Sequence, residues 1–443
     1  MDTPICDFVA RYADSDTMRL HMPGHKGKAL LGLEPMDITE IPGADSLYDA
    51  QGIIRQSEEN AGQLFGCHTF YSTEGSSHCI RAMLTLALQQ AARQGKAPVI
   101  AAARNAHKAF INAVALLDLQ VQWLDPGERE SYLSCCPSPR QVDDFLRAAP
   151  EKPFAVYLTS PDYLGCLADV AGIAQVCHQH GCLLLVDNAH GAYLRFLDKS
   201  LHPMDLGADL CCDSAHKTLP VLTGGAYLHI SYDAPQQLAA QAKNALALHG
   251  STSPSYLILQ SLDRANAWLE QGHVKPFAAR AEGLRCRLEQ KGLLFYGQEP
   301  LKLTLKAASM GHTGEELGEW LRQQEIECEF ADPSYVVLML SATMTEEELG
   351  RLEEILAAIE LREPVQQEQP AFHRCRQVMS VRQAMLSPAQ TVQVKDSLGR
   401  VLAAPSVSCP PAVPIVICGE RIDETALSLL RFYGVEHCVV VDK

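Results

Sequence analysis

No stretch of the chain reaches 18 consecutive apolar residues, so the sequence offers no membrane-spanning helix. The cysteines lack metal spacing. There are sixteen, yet none forms a pair of CxxC knuckles, and Cys211 and Cys212 sit in an apolar run as small buried hydrophobes would in a reducing compartment. A basic excess is also missing: 37 Lys and Arg stand against 53 Asp and Glu, a net charge of −16. That argues against a nucleic-acid or anionic-membrane partner. The opening MDTPICDFVARYADSD has neither a basic nor an apolar segment of a signal peptide, so a cytosolic protein is expected. Internal repeats and low-complexity tracts are absent as well. What remains is an ordinary globular balance, 47% hydrophobic and 20% charged over 443 residues, enough for a large core and a smaller lobe.

Between about residues 70 and 232, short apolar runs alternate with helical patterns, the mark of parallel α/β structure. Strands are expected at 97–102, 153–158, 183–187, 208–212 and 226–230. They are too uniformly apolar for a one-sided sheet, so helices should cover both faces. The clearest helix begins near Ser76, with Ile80, Met83, Leu84, Ala87 and Leu88 at helical spacing. One helical stretch is expected from about Ser255 to Gln290, and amphipathic helices at GEELGEWLRQQ and TEEELGRLEEILAAI. The polar VQQEQPAFHR (Val365–Arg374) reads as a linker, after which Pro405, Pro410, Pro411, Pro414 and the run Ile415–Ile417 mark an appended module. Domains are therefore expected at 1–290, 291–364 and 365–443.

Three segments carry chemistry. In DSAHKTLPVLTGGA, Lys217 follows the strand expected at 208–212, with Ser214 and His216 close by. An amine desolvated at a strand end becomes a nucleophile near neutral pH, although a lysine starting a helix would look the same. In LLLVDNAHGA, Asp187 ends an apolar run, at the strand edge where open α/β sheets bind ligands. Such a carboxylate can pair with a protonated pyridine nitrogen, or simply cap a loop. In YSTEGSSHCIRAML, Gly75, Ser76 and Ser77 open the periodic helix, as a phosphate cradle or as an ordinary N-cap. Together, in the order cradle, carboxylate, lysine, they meet the requirements for holding pyridoxal 5′-phosphate (PLP).

Here the chain resembles the Orn/Lys/Arg decarboxylase family of fold-type I PLP enzymes. The matching blocks are HMPGHKG (His21–Gly27), DITEIPGADSL (Asp37–Leu47), RNAHKAF (Arg104–Phe110), TSPDYLG (Thr159–Gly165), VDNAHGA (Val186–Ala192), SAHKTLPVLTGGA (Ser214–Ala226) and STSPSYLILQSLD (Ser251–Asp263). DSLGRVLAA (Asp396–Ala404) and PPAVPIVICGE (Pro410–Glu420) extend the likeness into the tail. The resemblance implies an aspartate-aminotransferase-like large domain with a mainly parallel sheet, plus a small α+β C-terminal domain. It makes Lys217 the Schiff-base lysine, Asp187 the partner of the pyridine nitrogen and His107 the imidazole stacked on the ring. Gly75, Ser76, Ser77, Ser214 and His216 would hold the phosphate, and His190 would lie near the ring edge. Lys217, His216 or a tyrosine would return a proton to Cα. Ser251, Thr252 and Ser253 would reach a neighbouring subunit's phosphate, which implies a homodimer with shared sites. The reaction implied is α-decarboxylation of arginine, lysine or ornithine to agmatine, cadaverine or putrescine.

Some positions depart from the family pattern. Asn188 stands where Glu is usual, Gly224-Gly225 replace Gln-Thr, Ala412 stands for the Gly of PPGIP and Cys418 for the Pro of PGE, and DAQGIIRQ (Asp49–Gln56) lacks a proline. These bear on the substrate rather than the cofactor. No wing domain precedes HMPGHKG, so the chain resembles the compact branch of the family. A cationic substrate group needs a carboxylate. Asp45 and Asp49 are candidates, though a turn or surface acid is the better reading of each. Rival readings are another fold-type I reaction, transamination or elimination, and a PLP-holding protein that has lost activity. Retention of Lys217, His107 and Asp187 counts against the last.

Overall fold

The computed structural model describes residues 1–124, 131–366, 369–405 and 411–442. Pro410, which opens the tail motif, and linker positions 367 and 368 lie outside them. The chain divides into two compact units, 1–97 with 170–277 and 98–169 with 278–443. The seven strands of the main sheet are β1 (His68–Ser72), β2 (Val99–Ala103), β3 (Gln120–Leu124), β4 (Ala155–Thr159), β5 (Leu183–Asp187), β6 (Leu210–Asp213) and β7 (Ala226–Ile230).

In the first unit the strand order is β1-β7-β6-β5. β5 and β6 run parallel, with Asp187 opposite Cys212, and β7 is antiparallel to both β6 and β1. Every residue of β6 and β7 is buried, as a sheet covered on both faces requires. One cover is the helix Ser76–Arg93, whose Ile80, Met83, Leu84 and Ala87 are buried at the spacing the sequence showed. It packs on the helix Gln236–His249. Each such aliphatic side chain taken from water contributes about 1.5–3 kcal/mol. The helical stretch expected over 255–290 is two helices, Tyr256–Glu270 and Val274–Gln290. They are parted at Gly272, whose φ of +75° is the left-handed turn that ends a helix.

In the second unit β2 pairs in parallel with β3 and β4. A smaller antiparallel sheet follows, β8 (Phe295–Tyr296), β9 (Lys302–Leu305), β10 (Phe330–Ala331) and β11 (Val336–Met339), in the order β10-β11-β9-β8. Its helices Gly314–Gln323 and Glu346–Ala357 both begin with a capping box, Thr313 with Glu316 and Thr345 with Glu348. The tail pairs β12 (Ala389–Gln393) with β13 (His437–Val441) over a core of Leu402, Val416, Ile422, Leu427, Leu430 and Val440. The run Ile415–Ile417 forms no strand; Val416 enters that core from a loop. Among the described residues no helix is long and apolar enough to cross a membrane.

Candidate active site

Parallel strands place their C-terminal ends together, and β5 and β6 end in Asp187 and Asp213. Asp187 is buried, and accepts the Ala189 N–H at 3.2 Å and the Cys212 thiol at 3.6 Å. One helical turn, Ala215–Thr218, follows β6 and carries Lys217. Its Nζ lies 3.0 Å from Nε2 of the buried His190, which the loop after β5 supplies.

The cradle forms where the helix Ser76–Arg93 begins. Gly75 is its N-cap with φ +74° and has no side chain with which to cap that end. The space that a side chain at Gly75 would fill is open. Ser214 donates to Ser76 Oγ at 2.7 Å, so two of the expected phosphate ligands meet from opposite ends of the fold's first half. Ser77 follows, half-buried. The Gly75 N–H donates to the Gly224 carbonyl at 2.7 Å, which ties the cradle to the lysine loop. Gly224 has φ +100°, and a Cβ there would stand 2.9 Å from the Thr73 carbonyl. The glycine that departs from the family pattern is thus demanded by this chain's own close approach. His216 Nδ1 lies 3.0 Å from the Gly225 carbonyl. Burial, aided by the charge of Lys217, pulls its pKa below the ordinary imidazole value. Ser251, Thr252 and Ser253 are exposed, and the Ser251 N–H donates to the Glu74 carboxylate at 2.6 Å.

Behind the strand ends lies a network that the sequence did not reveal. Asp213 Oδ2 accepts from His202 Nε2 at 3.0 Å and His229 Nε2 at 3.1 Å, while Asn188 Nδ2 donates to Oδ1 at 2.7 Å. All four residues are fully buried. Burial opposes the charge of Asp213, but the two imidazoles outweigh it and hold the carboxyl below its usual range. Asn188, the departure from Glu, is therefore one of the donors to a buried carboxylate. No spacing signals such a set, because its members lie on separate elements.

His107 belongs to the second unit. It is the N-cap of the helix Lys108–Leu117, its Nδ1 accepting the Ala109 N–H at 3.0 Å. Two tail residues grip the same segment. Arg104 pairs with Glu420 at 2.8 Å, both buried, and the Lys108 N–H donates to the Ala412 carbonyl at 2.8 Å. Ala412 has φ +56°, left-handed backbone where the family pattern has glycine. Cys418 is fully buried, which pushes its thiol up to about 12.

The substrate-cation candidates fare differently. Asp45 is a loop organiser: it accepts backbone N–H groups of Ser46, Gln51, Gly52 and Ile54 at 2.8–3.0 Å, which lowers its pKa against the opposing effect of burial. Asp49 accepts from Gln51 Nε2 at 3.4 Å.

The first unit's donor set fits PLP. It offers an amine for the aldehyde, a buried strand-end carboxylate for the ring nitrogen, and paired hydroxyls at a helix N-terminus for the phosphate. Two buried oxygens at this edge, Asn188 Oδ1 and Thr218 Oγ1, have no hydrogen-bond partner among the described residues. Comparison with known proteins agrees. The chain is similar to an arginine decarboxylase of Halalkalibacterium halodurans, 28% identical over 97% of this chain and 93% of that one. Its fold is similar to that of a lysine decarboxylase of Francisella novicida, with a TM-score of 0.81, 17% identity, and coverage of 99% of this chain and 81% of that one. It shares its fold more loosely with a serine palmitoyltransferase of Sphingomonas wittichii, with a TM-score of 0.57, 13% identity, and coverage of 81% and 83%. Residues 3–281 match the family described as Orn/Lys/Arg decarboxylase, major domain. The chain belongs to the Orn/Lys/Arg decarboxylase family, and pyridoxal phosphate is its cofactor.

Proposed function

We propose that the protein removes the α-carboxylate of arginine as CO₂ and releases agmatine, with lysine and ornithine as the competing substrates. What carries this reading is the likeness to an arginine decarboxylase along 97% of the chain. PLP, when bound, supplies the electron sink for the carbanion left by CO₂. The chain's own residues do the rest. Lys217 binds the cofactor, and His190, 3.0 Å from Nζ, holds or takes its proton. Asp187 keeps the ring nitrogen protonated. Gly75, Ser76, Ser77, Ser214 and His216 fix the phosphate end, and His107 stacks on the ring and orients it. Holding cofactor and substrate in one orientation would select which bond at Cα breaks. Lys217 or His216 returns a proton to Cα.

The working form in this reading is a cytoplasmic homodimer, in which Ser251, Thr252 and Ser253 reach the partner's phosphate. Its support is a run of exposed apolar side chains in the N-terminal segment, Met18, Leu20, Leu30 and Leu31, which a monomer would leave in water. Buried thiols at Cys67, Cys79, Cys177, Cys211 and Cys212 suit a reducing compartment. We read 1–290 as the cofactor-binding part, 291–364 as the small region and 365–443 as the C-terminal domain. The test is incubation of the PLP-loaded protein with arginine, lysine and ornithine separately, reading CO₂ and amine. Agmatine from arginine is expected. Reaction with lysine or ornithine alone would reassign the substrate, and no CO₂ from any of the three would end the decarboxylase reading.

A further inference from the structure

Besides the residues assigned to PLP, the chain offers a cluster in the second unit, of two thiols and a carboxylate. Cys136 follows β3, and Asp162 and Cys166 lie in the loop after β4. Their sulfur and oxygen atoms all fall within 4.8 Å of one another. Cys136 Sγ stands 3.7 Å from Asp162 Oδ2. A tetrahedral zinc with Zn–S of about 2.3 Å and Zn–O of about 2.1 Å would separate such ligands by about 3.6 Å.

The carboxylate is already aimed. Asp162 is fully buried, and its Oδ1 accepts the N–H groups of Leu164 at 3.0 Å and Cys166 at 2.9 Å. Ser134 donates to Oδ2 at 2.6 Å, and the Cys136 thiol donates to the same oxygen, a proton that a bound ion would displace. Outer partners of this kind fix the ligands of protein metal sites. Lys302 donates to the Asp162 carbonyl at 3.2 Å and anchors the loop from below. Both cysteines are only half-buried, so an ion can enter.

The other two groupings of this kind among the described residues are less suited. His202, Cys211 and Asp213 are sealed in the interior, with Asp213 already accepting from His202, His229 and Asn188. In His373, Cys375 and Asp423, the aspartate is the helix cap for Ala426.

We propose that Cys136, Asp162 and Cys166 bind a thiophilic divalent cation, with Zn²⁺ as the expected occupant and water as the fourth ligand. Binding displaces the two thiol protons, so affinity rises with pH. The ion clips the loop after β4 to the segment after β3.

The test uses the full-length PLP-loaded protein, purified with a non-thiol reductant and stripped by chelator, then titrated with Co²⁺ and afterwards Zn²⁺. Expected is one equivalent of Co²⁺ with thiolate charge-transfer and tetrahedral absorption, abolished as Zn²⁺ displaces it. Cys136→Ser and Cys166→Ser should each lose the signal, and Asp162→Asn should weaken binding about tenfold or more. Cys286→Ser, at an exposed thiol elsewhere, should keep it. Retained cofactor absorbance in each variant shows that it is folded. An undiminished signal in Cys136→Ser overturns the site. So does reduced wild-type protein that takes up no Co²⁺, including the case where the two cysteines are found joined as a disulfide before reduction.

Discussion

Arg104 and Glu420 lie 316 positions apart in the chain, yet meet at 2.8 Å in the interior of the second unit. Burial raises the pKa of Glu420 and the guanidinium opposes that rise, so the pair survives by mutual compensation. Removing one member takes from the other its buried partner of opposite charge. Glu420→Ala should cost about 3–5 kcal/mol in denaturant unfolding, while an apolar double replacement of both should cost clearly less. Equal losses would show that the two do not depend on each other.

Lys217→Ala should lower CO₂ release by a factor on the order of 10³ or more and let PLP wash out on gel filtration. A variant that retains both turnover and cofactor would remove Lys217 from its proposed role.

Asn188→Asp sets a second carboxylate against Asp213, where Nδ2 now donates at 2.7 Å. The new acid has its folded pKa raised by its neighbour, so it does little harm while protonated. The penalty grows as pH climbs above the unfolded value of about 3.9. Unfolding free energies from urea titration should therefore separate from wild type more at pH 8 than at pH 5, the gap reaching about 1.5–3 kcal/mol at the higher pH. A gap independent of pH would contradict the contact.

Two histidines predict an acid limb. His78 and His229 are buried, and burial lowers the pKa of both; Leu246's carbonyl opposes this at His78 and Asp213 at His229. A base with a lowered folded pKa contributes stability that is complete above the unfolded value, about 6.5, and lost as pH falls through the folded one. Unfolding free energy should be level above pH 6.5 and fall below it, by up to about 1.4 kcal/mol per pH unit for each proton taken up. His78→Gln should flatten that slope, whatever it does to stability at pH 7.5. An unchanged slope would shift the limb to other groups.

Ala412→Gly should stabilise the protein. Left-handed backbone costs an alanine about 1–2 kcal/mol, and the freer unfolded glycine returns part of that. A gain of about 0.5–1 kcal/mol in denaturant unfolding is the expected outcome, and a loss would mean that the alanine methyl contributes packing worth more than the strain.

The five central strands could be read because their residues are apolar on both faces, and their ends shifted by two residues at most. β1 and β3 could not. HTFYS and QVQWL carry polar residues suited to sheet edges, with His68 and Gln120 exposed, and polar residues dilute the apolar run that marks a strand. The places of Lys217, Asp187 and Ser76 in the fold were legible because strand ends and helix starts announce themselves locally. The His190–Lys217 contact and the ring of donors around Asp213 were not, since they depend on which loops fold over which strand. Gly224 stood in the sequence only as a departure from the family pattern; its reason, the Thr73 carbonyl 2.9 Å from where a side chain would begin, lies in the packing.

The grip of Ala412 and Glu420 on residues 104–108 has a consequence for how the protein is made. A ribosome will have released Arg104 and His107 into solution more than 300 residues before it delivers the partners that hold them. Until then an arginine destined for the interior lacks the carboxylate of Glu420, and the segment bearing His107 lacks the carbonyl that receives the Lys108 N–H. Synthesis of the proposed ring-stacking histidine and its final fixing in place are thus separated by more than 300 of the 443 residues. Chains interrupted before residue 412 would leave this segment open to proteolysis, and only completion of the tail would close it.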